Sequence, residues 1–158
     1  MKKIVIDLMA ERGVTLNDIA EIVLSLQKKY VKDLTLETCL DHVDRVLNKR
    51  EVQNTILTGI ELDKLAEKNL LSEPLQSLIK GDHPLYGIDE VIVLSICNIY
   101  GSIGFTNFGY IDKVKPGIIG VLDSAGKNDP DVCHTFMDDI VGAIAAAAAS
   151  SVAHNLLK

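Results

Sequence analysis

Apolar residues recur at three- and four-residue spacing along almost the whole chain, and runs that alternate with period two are few. That periodicity marks helices with one buried face. The first dozen residues predict a short helix stopped at Gly13. Thr15 or Asn17 then caps a helix whose face carries Ile19, Val23, Leu26 and Tyr30. Thr35 caps another, with Leu36, Leu40, Val43 and Leu47 inward, since hydroxyl and amide side chains satisfy the free N–H groups of a first turn. Thr38 stands where a full capping box would want Glu or Gln. The next helix runs from about Glu51 to Lys68 with Ile56, Leu57, Ile60 and Leu65 inward.

Ser72-Glu73-Pro74 opens a short helix that Gly81 ends, and Lys80 to Pro84 reads as a turn. Gly87 to Tyr100 predicts a buried helix with Asp89 and Glu90 in its first turn. The glycine-rich stretch Gly101 to Gly109 gives no usable pattern. Lys115 to Leu122 predicts a short element, a polar loop follows through Ser124-Ala125-Gly126, and Phe136 to Leu157 is the longest helix.

The fold expected is all-α: a single compact helical domain over residues 1–158 with a central alanine-rich helix. Small side chains let helix axes approach to about 8 Å. The run Ala145 to Ala149 therefore suits the centre of a bundle or a subunit contact, and a homo-oligomer is expected. Hydrophobic residues at 47% and charged residues at 24% are ordinary for a globular chain.

A net charge of −6 and a pI near 5.1 leave no basic stripe for phosphates, so no nucleic-acid partner is expected. No basic run exceeds a pair such as Lys28-Lys29, which is too little for an anionic-membrane patch. Cys39, Cys97 and Cys133 form no CxxC pair, and the histidines make no zinc-like cluster with them. The odd count argues for a reducing, cytoplasmic setting. The N-terminus meets Asp7 too early to be a signal peptide. The two apolar runs, Val91 to Phe105 and Ile140 to Ala153, fall short of the roughly 20 residues a bilayer span takes. Both read as buried core helices, and no transmembrane segment is expected.

Candidate chemistry lies mostly in acidic residues. Asp138 and Asp139 open the longest helix, and Asp89 and Glu90 open the other apolar one. Either pair can complement its helix dipole, worth about 0.3–1 kcal/mol. Packed side by side with matching ends, the two helices would instead gather four carboxylates. Like charges at close range raise one another's pKa, and a divalent cation resolves the conflict. Asp112 and Lys115, three residues apart, form a surface ion pair worth under about 1 kcal/mol. Alternatively Lys115, fixed by Pro116, holds a phosphate while Asp112 binds metal.

Asp123 caps or ends a turn, and His134 is either a solvated loop residue or a general acid four residues before Asp138. Gly126-Lys127 is not a phosphate loop, because Val121 stands where that motif needs glycine and Asn128 where it needs Ser or Thr. Ser102 and Thr106 lack a nearby base. The polar stripe Glu51, Asn54, Thr55 and Thr58 is an exposed face or a lining of the same cleft.

Taken together, Asp89-Glu90 before an apolar helix, Phe108, Asp112-x-x-Lys115-Pro116, Asp123 and Met137-Asp138-Asp139-Ile-Val-Gly142 make residues 86–155 resemble the phosphatidylglycerophosphatase A family. Residues 1–80 resemble the helical region of its soluble Gram-positive branch, which includes low-temperature-requirement proteins. The resemblance implies a Mg²⁺-dependent phosphatase, with Mn²⁺ as a substitute, that removes the terminal phosphate of phosphatidylglycerophosphate or a related phosphate ester. It implies that Asp112, Asp138, Asp139 and Lys115 are catalytic, that Lys115 touches phosphate, and that Asp89, Glu90, Asp138 and Asp139 hold metal. A lipid substrate would require the protein to visit the membrane surface.

Membrane-embedded members of that family carry an arginine where Gly109 stands here. The alternative is a non-catalytic helical oligomeric binding or regulatory module that retains the acidic positions for folding. A metal-dependent pyrophosphohydrolase would want a Glu-x-x-Glu pair, which this chain lacks.

Overall fold

Residues 1–156 are described by a computed structural model, and every regular element among them is helical. The helices are α1 (Lys2–Glu11), α2 (Leu16–Gln27), α3 (Leu36–Leu47), α4 (Arg50–Glu67), α5 (Leu75–Lys80), α6 (Ile88–Cys97), α7 (Gly101–Val114), α8 (Ile118–Asn128) and α9 (Met137–Leu156). A 3₁₀ turn, Asn98–Tyr100, joins α6 to α7. The expected end of the last helix at Leu157 lies outside the described residues.

The cap residues do what their chemistry predicts. Thr15 Oγ1 accepts the Asp18 N–H at 3.2 Å, and the Thr15 N–H donates back to Asp18 Oδ2 at 2.7 Å. Asp18 therefore closes the reciprocal box at the start of α2. Thr35 Oγ1 accepts the Thr38 N–H at 3.2 Å and starts α3. Gly13, with φ near +81°, supplies the left-handed turn that stops α1.

Helix α9 is the axis of the bundle and touches α2, α3, α4, α6, α7 and α8. Ala143 and Ala145 to Ala149 are fully buried within the chain itself. The alanine run is therefore occupied by intramolecular packing, the first of the two places it suited in sequence. Two glycines set how close the neighbours come. A Cβ at Gly142 would stand 3.3 Å from Ile111 Cγ2 and 3.5 Å from Phe108 Cε2, so α7 lies almost on the α9 backbone. A Cβ at Gly59 would stand 2.6 Å from Ile140 Cδ1, which fixes α4 against α9 in the same way.

The stretch from Gly101 to Gly109, patternless in sequence, is helical. Glycine costs a helix interior about 1 kcal/mol relative to alanine, but a Cβ at Gly104 would fall 2.9 Å from the Cys97 carbonyl oxygen. The tight α6–α7 corner demands that glycine, and the corner outweighs the propensity. Helix α8 likewise runs through the expected polar loop to Asn128, because Ile119 and Leu122 bury its inner face. Tyr30 lies beyond the end of α2 and is exposed rather than inward. Glu51, Asn54 and Thr58 are exposed, while Thr55 bonds Ser95 of α6 at 2.7 Å; the stripe lines no acidic cleft.

Helix α6 departs most from expectation. Val93, Ile96 and Cys97 are buried, but Ile88 and Val91 are exposed, as are Ile99 in the 3₁₀ turn and Phe105 and Tyr110 on α7. The apolar run expected as a buried core helix is half uncovered. The helical stretch Ile88–Val114, 27 residues long, is long and apolar enough to cross a membrane by length and composition. The apolar run read from sequence, Val91 to Phe105, is shorter because it counts only the apolar core of that stretch and not its helical ends.

Candidate functional site

The free N–H groups before α9 set up the site. The Phe136 N–H donates to Asp63 Oδ1 at 3.1 Å and the Met137 N–H to Asp63 Oδ2 at 3.1 Å. A fully buried carboxylate from α4 thus caps the central helix from across the bundle. Burial pushes the Asp63 pKa up to about 8, against the pull of the Phe136 N–H and of Arg12.

The loop leading into α9 is clamped as well. Arg12 grips Glu67 through two hydrogen bonds, Nη1 to Oε2 at 3.0 Å and Nη2 to Oε1 at 2.6 Å. Arg12 Nη2 also donates to the Cys133 carbonyl at 2.6 Å, and the Cys133 N–H donates to Glu67 Oε1 at 2.9 Å. Such bidentate pairs fix geometry as well as charge. Sequence reasoning missed Arg12, Asp63 and Glu67, and one signal was legible: Asp63 occupies the inward face of α4 in line with Ile56 and Ile60.

With the start of α9 fixed, Asp138 and Asp139 face the end of α7. Lys115 adopts a left-handed backbone (φ near +50°) at the end of that helix, immediately before Pro116. Its Nζ donates to Asp112 Oδ1 at 2.8 Å and to Asp138 Oδ2 at 2.8 Å, and lies 3.9 Å from Asp139 Oδ1. The Asp112–Lys115 pair is therefore half-buried and joined to α9, not an isolated surface pair. Burial works against the Lys115 charge, but Asp138 and Asp112 more than offset it and hold its pKa above the ordinary lysine value.

Asp138 Oδ1 accepts the Asp139 N–H at 3.0 Å. The Asp139 side chain is 6% exposed, and its carboxylate accepts no hydrogen bond among the described residues. Burial, then the Asp138 charge, pushes the Asp139 pKa up to about 9; Asp89 and Asp112 add to the push and Lys115 opposes it. Asp89 comes in from the first turn of α6 with its Oδ1 buried and unpartnered. Glu90 sits on the exposed rim, its pKa raised by burial and by the charges of Asp112 and Asp89.

The structure thus gathers Asp89, Glu90, Asp112, Lys115, Asp138 and Asp139. It leaves Asp123 outside the cluster, bonded to Lys127 Nζ at 2.7 and 2.8 Å. Gly109 is exposed, and a Cβ there would meet nothing within 4 Å. Beside Asp89 and Glu90, the segment Asp82 to Gly87 and Lys127 wall a cleft of about 430 Å³, a size that suits a small ligand.

Among the described residues no three ligating groups already converge as a cation cage. The Lys115 ammonium stands between Asp112 and Asp138 where such a cage would close. The donor set is nonetheless all oxygen, which suits Mg²⁺ or Mn²⁺. The unpartnered Asp89 Oδ1 and the unbonded Asp139 carboxylate are the oxygens such an ion would satisfy.

The family model of phosphatidylglycerophosphatase A matches residues 6–154. An uncharacterized Bacillus subtilis (strain 168) protein, YutG, is 63% identical over 146 residues, covering 92% of this chain and 86% of its own length. The crystal structure of the low temperature requirement C protein from Listeria monocytogenes superposes with a TM-score of 0.94 at 56% identity, covering 99% of this chain and 97% of that one. A Bacillus stearothermophilus protein of unknown function has the same fold, with a TM-score of 0.92 at 58% identity over 98% of this chain and 94% of its own.

Proposed function

The chain belongs to the phosphatidylglycerophosphatase A family, and from that premise we propose that it is a Mg²⁺-dependent phosphomonoesterase acting on the terminal phosphate of phosphatidylglycerophosphate or a related phosphate ester. One observation carries the reading: five carboxylates gather around a single ammonium, and the most buried of them, Asp139, has no hydrogen-bond donor. A carboxylate that enclosed costs several kcal/mol unless it is protonated or meets a cation.

Asp89, Glu90, Asp138 and Asp139 are the residues that would hold the ion. Bound there, Mg²⁺ would supply charge to the phosphoryl oxygens and lower the pKa of a coordinated water. The rest is done by the chain. Asp139, holding a proton while metal is absent, gives it up as the site fills. Lys115, relieved of Asp138, is the cation that meets a phosphate oxygen, and Asp112 keeps its ammonium aimed by the 2.8 Å bond. A carboxylate not engaged by the ion serves as base toward the attacking water. In this reading the exposed apolar face of α6 and α7 is where a second copy of the chain packs.

The test is thermal melting with and without Mg²⁺ or Mn²⁺, on the wild type and on Asp138→Asn/Asp139→Asn, followed by phosphate release from phosphatidylglycerophosphate in mixed micelles. An ion that binds only the folded state must raise Tm. Expected are a shift confined to the wild type and metal-dependent release of phosphate. A Tm that ignores both ions, with no phosphate released, would leave the acids a folding role and favour the binding-module alternative.

A further inference from the structure

His134 is held in an arrangement that the reaction above does not use. The residue precedes α9 by one turn, on the loop that Arg12 and Glu67 clamp. Arg12 Nη2, which can only donate, lies 3.1 Å from His134 Nδ1. The two hydrogens on Nη2 already go to Glu67 and the Cys133 carbonyl, so Nδ1 can only share one of them. An N–H there would face the guanidinium charge, and the neutral ring therefore turns a lone pair to Arg12 and carries its proton on Nε2. Arg12 cannot turn away, because both its terminal nitrogens are committed to Glu67 and one of them also to the Cys133 carbonyl. Gly126 of α8 packs close by: a Cβ there would make ordinary contact, 3.5 Å from the His134 backbone nitrogen and 3.8 Å from the His134 Cβ.

His134 lines a small cavity. Its lining includes His134, Asp138, Asp123, Asp82 and Lys80, and it offers about 10 Å³ to a water-sized group. That is room for about one water molecule, which needs two to four polar partners to stay. Here the partners are of the right kinds: a donor in the His134 Nε2–H, and acceptors in the carboxylates of Asp138 and Asp123. Asp138 has spare capacity, since each of its oxygens accepts only one bond within the chain.

We propose that this cavity is a built water site, in which His134, locked as the Nε2–H tautomer by Arg12, donates to a water that donates in turn to Asp138. His134 is then a positioning residue: it fixes the Asp138 carboxylate through the water and touches neither substrate nor metal. The effect on metal or activity rests on the function proposed above, but the tautomer and the water do not. Groups that orient a metal-bound carboxylate or imidazole in this indirect way are worth about 10–100-fold in metal affinity.

Two measurements test it. In metal-free, ¹⁵N-labelled wild-type protein, long-range imidazole correlations should show His134 with a protonated Nε2 and a bare Nδ1, and its Hε2 should show a cross-peak to a long-lived water. A proton on Nδ1, a ring that titrates freely between pH 5 and 8, or no water contact overturns the proposal. Mn²⁺ affinity is then compared in His134→Gln, which keeps a donor, and His134→Leu, which does not. The expected result is a loss of about 10–100-fold in His134→Leu with His134→Gln within about threefold of wild type. Equal losses in both, or none in either, also overturn it, as would a cation rather than water found in the cavity. If the wild type itself binds no Mn²⁺, the metal reading falls, and the imidazole spectrum alone decides the role of His134.

Discussion

Helices α6 and α9 begin alike, each an apolar helix opening on two acidic residues, Asp89-Glu90 and Asp138-Asp139. They finish in opposite circumstances. Helix α9 is enclosed by six neighbours and its acids are almost entirely buried, whereas α6 covers α9 with one face and leaves Ile88 and Val91 in solvent. The acids follow suit: Asp139 is buried and bare of donors, while Glu90 stands on the rim. Hydropathy measures what a helix tolerates, not what surrounds it. The enclosed pair carries most of the electrostatic tension because water is scarce there, and on α6 only Asp89, with its buried and unpartnered Oδ1, shares in it.

Substitutions at the two pairs should therefore differ most. Asp138→Asn/Asp139→Asn should lower metal-dependent phosphate release by at least about a thousandfold, on the order of 4 kcal/mol of barrier. Glu90→Gln should cost roughly tenfold, about 1.4 kcal/mol on the same scale. Equal losses would mean that the rim and the buried pair share the work.

The helix bodies give the next largest contrast. Ala146→Leu overpacks the fully buried side of α9 and should lower unfolding free energy by about 1–3 kcal/mol in urea titrations. Val91→Ser on the open face of α6 should stay within about 0.5 kcal/mol. A larger, concentration-dependent cost at Val91 would instead show the face to be covered by a second copy, and sedimentation velocity would report the dimer.

Acidity offers a subtler probe. Metal-free Asp139, with its folded pKa pushed from 3.8 to about 9, keeps a proton that the unfolded chain has released. Its contribution favours folding fully below 3.8 and is lost as pH climbs through about 9. The buried Asp63 carboxyl, also raised, adds a slope of the same sign. Asp139→Asn should flatten the decline of Tm toward alkaline pH and raise Tm at pH 8 in the absence of metal, at roughly 2–4 °C per kcal/mol. An unchanged pH profile would show that Asp139 is ionised throughout.

The smallest effect is expected at Gly109. Its position is open, so Gly109→Arg should fit and add up to about 1 kcal/mol of helix stability. Lying one turn before Asp112, the new guanidinium should lower KM for a phosphate ester while leaving kcat within about twofold. A raised KM would place the phosphate on another wall of the cleft.

Much of this was legible from residues alone. Helix boundaries at Gly13, Thr15, Thr35 and Gly81 follow from local chemistry that acts within a turn or two, and the acidic pairs and Asp112-x-x-Lys115 follow from spacing. The helicity of Gly101 to Gly109 was not legible, because the reason for its glycines is the Cys97 backbone at the α6–α7 corner. Asp63 looked like one more acid on α4 until its carboxylate met the N–H groups of α9, more than 70 residues away. His134 showed no role in sequence because the group that fixes its tautomer, Arg12, lies at the far end of the chain.

Composition, periodicity and capping residues by themselves determined that this protein is a bundle of helices with an alanine-rich axis and a set of acidic helix starts. These depend on interactions between residues a few positions apart, which any segment carries with it. Only the tertiary structure decided which apolar helix is covered and which half bare, and which of two identical-looking acidic pairs is starved of water. It also decided that Lys115 bridges Asp112 to Asp138 rather than pairing on the surface. Burial and charge proximity are properties of the packed whole, and their energies depend on a dielectric environment that no single segment contains.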